Sequence, residues 1–222
     1  MAPDSDLGPC RLPGRTCESA GFPEASDPSA RHWNESISRW RFQLIDIPLL
    51  PLEDPRWATY ALIDNEPLKG EIWECACGDG AMSEVLAETG NRIESSDLFN
   101  RGYGEIGHDF LTTTRRLRNI ITNPPYNSAE GFVATGLRQA QGKFALLLRL
   151  AFLEGANRAN TIFHKCPPSR VWVFSERITF YPKNVERAGG GTTAYAWFVW
   201  DKDHSGPTEL AWFKPGYRKR YG

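Results

Sequence analysis

The sequence predicts an α/β protein, a doubly wound and mostly parallel sheet that finishes in antiparallel strands. Between residues 70 and 164, short apolar or β-branched runs alternate with stretches of helical periodicity. That is the pattern of parallel strands joined by crossover helices. Lys143-Phe144-Ala145-Leu146-Leu147-Leu148-Arg149-Leu150 is almost uninterrupted apolar sequence, as a strand covered on both faces requires. Beyond residue 164 the strand signals at 170–174, 194–200 and 209–213 follow one another without another helix, which favours antiparallel pairing.

The elements are taken in order. Residues 1–31 hold five prolines and three glycines without sustained periodicity, which predicts a flexible arm with no core of its own. Residues 32–222 form a single domain. A helix is expected from Asn34, with Ile37, Trp40, Leu44 and Ile45 on one face. Prolines keep 47–52 extended, and a short helix spans 56–63. A strand at 71–76 ends in Cys77-Gly78-Asp79-Gly80, a helix follows over 81–88, and a strand at 91–96 runs into Asp97. A strand at 117–122 stops at two prolines, which cannot donate to a ladder. Helices are expected at 128–141 and 152–164.

Composition bounds the function. The chain has 222 residues, 41% apolar and 24% charged, enough for one full core. It holds no apolar run of about eighteen residues. The first residues lack a basic stretch followed by an apolar one, so neither a membrane span nor a secretory signal is expected. Five scattered cysteines argue against a disulfide framework and for a reducing, cytoplasmic compartment. None of the cysteine spacings fits a zinc pattern, so no metal is expected. Net charge is −1, distributed as −3 over 1–60, −3 over 61–164 and +5 over 165–222. The basic last third can face phosphates or simply be a solvated surface.

Two stretches carry chemistry. In Glu74-Cys75-Ala76-Cys77-Gly78-Asp79-Gly80 the glycines let the backbone turn sharply and approach a ligand. The acidic residues make the turn a poor match for pyrophosphate and a better one for a cation bearing ribose hydroxyls. Asp97, at the end of the next strand, can accept two such hydroxyls. The second stretch is Asn123-Pro124-Pro125-Tyr126, a stiff shelf at a strand end that offers an amide, a carbonyl and a ring. Alone it is also an ordinary turn sequence. Together the two stretches fall at the carboxyl ends of neighbouring parallel strands, where open α/β sheets bind ligands.

At these residues the chain resembles the class I S-adenosylmethionine-dependent methyltransferases, in particular the DNA N6-adenine methyltransferases, including small phage-type enzymes. The likeness runs over residues 70–200 through the glycine turn, Asp97, Asp109-Phe110-Leu111 and Asn123-Pro124-Pro125-Tyr126. It implies a Rossmann-like sheet of seven strands and S-adenosyl-L-methionine as cofactor. Glu74, Ala76, Gly78 and Gly80 would hold its methionine part, Asp97 its ribose, and Asp109 and Phe110 its adenine. Asn123, Pro124, Pro125 and Tyr126 would be catalytic, acting on DNA in the cytoplasm of a bacterial or phage-infected cell. Phe180 is the best match for a second aromatic wall, with Tyr181 its competitor and core packing the other reading. Arg177, Lys183 and Arg187 flank it and could grip phosphates.

The chain departs from the family in two places. Little sequence follows residue 164 for target recognition, so a partner subunit or a second copy would supply what short loops do not. The N-terminal cofactor motif has no clear match, Trp57 and Tyr60 being the nearest. Three alternatives stay open: an RNA adenine, a protein glutamine amide, or a non-catalytic methyltransferase-like subunit that binds nucleic acid.

Overall fold

The computed structural model describes residues 52–53, 55–182 and 191–222. The predicted arm at 1–31, the helix from Asn34, Lys183 and Arg187 lie outside the described residues. The chain runs β1 (Leu52–Glu53), α1 (Arg56–Asn65), β2 (Ile72–Glu74), α2 (Ala81–Ala87), β3 (Ile93–Asp97) and β4 (Glu105–Ile106). It continues with β5 (Asn119–Thr122), α3 (Ala129–Gln139), β6 (Lys143–Arg149), α4 (Ala156–Arg158) and β7 (Arg170–Phe174). The last elements are β8 (Tyr181–Pro182), β9 (Tyr195–Asp201), β10 (Glu209–Phe213) and α5 (Tyr217–Tyr221).

Eight strands form one sheet in the order β10-β7-β9-β6-β5-β2-β3-β4, while β1 and β8 pair separately. The count exceeds the expected seven. β4 comprises two residues hydrogen-bonded beside Ser96 and Asp97, too few to show a period in sequence. β9 runs antiparallel to both β6 and β7, as expected of the C-terminal part, and β10 returns parallel to β7. The helix expected at 152–164 is broken. A 3-10 turn at Leu150–Leu153 leads through Gly155 into α4 and then a π turn at Ala159–Phe163.

Strand composition explains the layering. Every residue of β2 and β5 is buried, as are 144–148 of β6 and 195–200 of β9, so these strands need helices on both faces. One face packs Trp57, Leu62, Met82, Leu86 and Phe213. The other packs Phe110, Phe132, Val133, Phe152 and Ile162. Two tryptophans in β9 anchor opposite faces through their ring N–H groups, Trp197 to the Ala58 carbonyl and Trp200 to the Cys166 carbonyl, each at 2.9 Å. α3 lies so close to β6 that a Cβ on Gly136 would come within 2.2 Å of the Phe144 ring. Only glycine fits there.

The bottom of the sheet is tied by charge. Glu66 caps the C-terminus of α1 and is 1% exposed. Its carboxylate accepts from Arg170, from Lys143 Nζ at 2.5 Å and from Trp172 Nε1 at 2.8 Å. Asp201 completes the cluster, accepting from Arg170 Nη2 at 2.8 Å. Burial pushes the Glu66 carboxyl up, but the hydrogen bonds from Arg170, Lys143 and Trp172 outweigh it and hold the group below its ordinary value. Asp201 is likewise held low, burial being outweighed by Arg170, the Asp203 backbone N–H and Lys143. Carboxylates depressed in the folded state stabilise above their unfolded pKa and lose that stabilisation as pH falls through the folded one.

Two outcomes are expected in denaturant unfolding. Glu66→Ala, which leaves Arg170 and Lys143 with Asp201 alone, lowers the unfolding free energy at pH 7 by about 3–5 kcal/mol. The native protein loses stability as pH drops below about 4, and Glu66→Gln flattens that dependence.

Candidate functional site

The turn after β2 is built from its own atoms. Gly80 N–H donates to the Cys77 carbonyl at 2.8 Å, and Ala81 N–H to Asp79 Oδ1 at 3.3 Å. Gly78 N–H donates to Asp97 Oδ2 at 2.9 Å, and Phe99 N–H to Asp97 Oδ1 at 2.9 Å. Asp97 is only 6% exposed. It therefore fastens the glycine turn to the end of β3, and each carboxylate oxygen keeps a second acceptor direction. Gly78 has φ +58, with nothing near the position of a Cβ, so a ligand can approach its backbone closely.

Glu74 is fully buried at the end of β2. Ser83 on α2 donates to it and in turn shares a hydrogen bond with Ser95 of β3 at 2.6 Å. The Ser83 hydroxyl thus ties the Glu74 carboxylate to α2 and, through Ser95, to β3. The neighbouring thiols remain protonated. Burial, reinforced by Glu74 and Asp97, pushes Cys77 up to about 12 and raises Cys75 as well. Both cysteines are free and buried, which agrees with reading them as small hydrophobes. Among the described residues no group of His, Cys, Asp or Glu is placed to hold a metal ion.

The loop leaving β3 adds a residue that sequence reasoning missed. Tyr103 lies against Gly80, where a Cβ would meet its ring at 2.4 Å, and its carbonyl accepts from Cys77 Sγ at 3.5 Å. Gly102-Tyr103-Gly104 carries no periodic signal, so only the folded loop shows the ring covering the turn. Asp109 opens a 3-10 turn by accepting from Leu111 N–H at 3.0 Å. Phe110 is buried between Trp73 and Phe132, at 5.4 and 4.9 Å between ring centres.

β5 pairs with β2 in parallel, so the shelf after Thr122 stands beside the glycine turn. Pro124 is buried, and Asn123 Oδ1 and Tyr126 Oη are shielded from solvent. The Tyr126 ring meets Phe180 at 6.3 Å edge to face and Tyr195 at 5.8 Å. Two parallel walls around a base need about 7 Å, so Tyr126 and Phe180 are neighbours here rather than an open slot. The Arg149 guanidinium lies 5.0 Å over the Tyr126 ring. Arg177 is exposed and donates to the Thr192 carbonyl at 3.0 Å. Trp57 and Tyr60 are committed to packing, Trp57 on Phe174 and Tyr60 stacked on Tyr221 at 4.0 Å, which removes them as candidates for a cofactor motif.

This architecture is the Rossmann-like fold of the class I methyltransferases. The structure of PH1948 from Pyrococcus horikoshii, described as a candidate RNA methyltransferase, superposes with a TM-score of 0.50 at 12% identity, covering 78% of this chain and 98% of that one. The 23S rRNA methyltransferase ErmE gives 0.47 at 15% identity, covering 77% and 75%. The glycopeptide N-methyltransferase MtfA, solved with S-adenosyl-L-methionine, gives 0.36 at 15% identity. There the match covers 46% of this chain and 58% of MtfA, so the chain spans less than two thirds of that protein. At these identities the likeness is one of fold. No protein-family model and no curated protein matches the chain.

The Asp97 bridge carries a direct expectation. Asp97→Ala leaves the Gly78 and Phe99 N–H groups without their acceptor, and chemical denaturation should show a loss of about 1–3 kcal/mol.

Proposed function

We propose that this chain is an S-adenosylmethionine-dependent methyltransferase acting on the exocyclic N6 amine of adenine in DNA. The observation that carries this reading is the pairing of β2 with β5, which sets the acidic glycine turn beside Asn123-Pro124-Pro125-Tyr126. The turn's N–H groups are spent on Cys77, Asp79 and Asp97. Such a turn suits a cation rather than a phosphate. The open approach at Gly78 and the spare acceptor capacity of Asp97 fit the methionine part and the ribose of the cofactor, with Glu74, Ala76 and Gly80 framing the turn. Asp109 and Phe110 are the residues for its adenine. When bound, S-adenosylmethionine supplies an electrophilic sulfonium methyl.

An exocyclic amine on a base is a poor nucleophile because its lone pair is delocalised into the ring. Asn123 Oδ1 and the Pro124 carbonyl are two acceptors that take its two N–H protons and localise the lone pair on nitrogen. Their shielding from water strengthens both hydrogen bonds. No general base is required before attack, since the proton becomes acidic only once the nitrogen carries positive charge. Pro125 keeps the shelf stiff, so the acceptors need no reorganisation. Tyr126 and Phe180 form the aromatic surface for a base drawn out of a duplex, and Arg177 with Lys183 serves the backbone.

The test is transfer of labelled methyl to unmethylated DNA, to RNA and to protein extract in parallel, followed by nucleoside analysis. N6-methyladenine in DNA is the expected product. Label in RNA or on glutamine would move the substrate, none anywhere despite cofactor binding would point to a missing partner subunit, and no cofactor binding would end the enzymatic reading. Asn123→Ala should cut transfer at least about 100-fold while calorimetric affinity for the cofactor stays unchanged.

A further inference from the structure

The Arg149 guanidinium is exposed at the end of β6 and stacked over Tyr126. Arg115 on Trp73 and Arg158 on Phe152 are likewise stacked, but each is also paired with a carboxylate, Glu94 and Glu130 respectively. Arg149 has no such partner among the described residues. Stacking fixes the plane of a guanidinium and leaves its N–H edge for an acceptor outside that plane. A rigid, outward-facing fork of donors matches a phosphate, which takes two of its N–H groups in parallel.

The surroundings point the same way. Directly after Arg149 the chain borders a cleft of about 460 Å³, lined by Leu150, Ala151, Leu153, Glu154, Thr193 and Ala194. Its wall is mainly apolar, with Leu153 42% exposed. Two of its lining residues are joined by a hydrogen bond from Leu150 N–H to the Ala194 carbonyl at 2.8 Å. A cation whose next residue in the chain lines an apolar recess can hold a phosphate while the recess takes the nucleoside attached to it.

We infer that Arg149 is a positioning residue that anchors a phosphate of a polynucleotide strand at the reaction site, the adjoining cleft receiving the nucleoside that flanks the target. This rests on the proposed function above and narrows its substrate to a strand carrying phosphates next to the modified base. Arg149 would keep the Tyr126 ring on one face while its N–H edge takes the phosphate.

The test is fluorescence anisotropy of a labelled single-stranded 12-mer, in DNA and RNA forms, titrated with full-length protein between about 50 and 200 mM salt. Arg149→Gln should weaken binding about 5- to 20-fold and reduce the salt slope by about one. Arg149→Lys should keep the slope and recover part of the affinity. Arg92→Gln, which removes an equal charge paired to Glu71, should change neither. Native affinity and slope in Arg149→Gln, or no oligonucleotide binding by the native protein, overturns the proposal. So does equal loss in Arg92→Gln. Arg149-dependent binding by a protein that takes no cofactor sustains the anchor and removes the enzymatic reading, so the two fail separately.

Discussion

The buried carboxylate of Glu66 is the constraint on which the rest of this fold depends. It stands where α1 meets the starts of β6 and β7 and the end of β9. Arg170, Lys143 and Trp172 converge on it from two of those strands. A charge at 1% exposure is tolerable only when its hydrogen bonds are complete. The requirement sets where α1 ends, how β6 and β7 sit either side of β9, and which residue terminates β9. The glycine turn after β2 and the proline shelf after β5 lie at the opposite end.

At the open end the sheet order does the assembling. The glycine turn and the proline shelf are separated by some forty residues of sequence yet follow strands hydrogen-bonded to each other. Asp97 arrives from the other neighbour of β2 and is consumed in holding the turn's shape. Its two backbone bonds make it a structural member first, and any ligand adds to a carboxylate already in place. Likewise Glu74 is fully buried, and its bond from Ser83, itself bonded to Ser95, fixes the carboxylate at the end of β2.

Sequence reading placed every central strand because their burial on both faces writes itself as apolar runs, and bounded β6 to within one residue, but it drew β2 and β5 longer than they are. β7 and β10 matched their expected bounds. The turn and the shelf were legible because glycine and proline impose backbone geometry locally. β4, with two residues, was invisible. The region after β6 reads as one helix by periodicity, yet Gly155 interrupts it. Tyr103 and Arg149 escaped notice for another reason: their places depend on which strands become neighbours, which no local pattern encodes. Phe180 was read from sequence as a second aromatic wall or a core residue, and its edge-to-face contact with Tyr126 is a packing outcome that no local pattern encodes.

The single reversed strand has a consequence for how such a site changes over time. Because β9 runs against β6 and β7, it meets the functional rim with its first residues rather than its last. The segment entering it at 191–194 is pinned to β6 through Leu150 and then continues straight into a buried strand. Length added ahead of that pin leaves the register of all eight strands unaltered. Among the described connections, this one can be lengthened, exchanged or grafted while the locked end, the glycine turn and the proline shelf keep their form. Substrate range in relatives of this architecture would diverge there most cheaply.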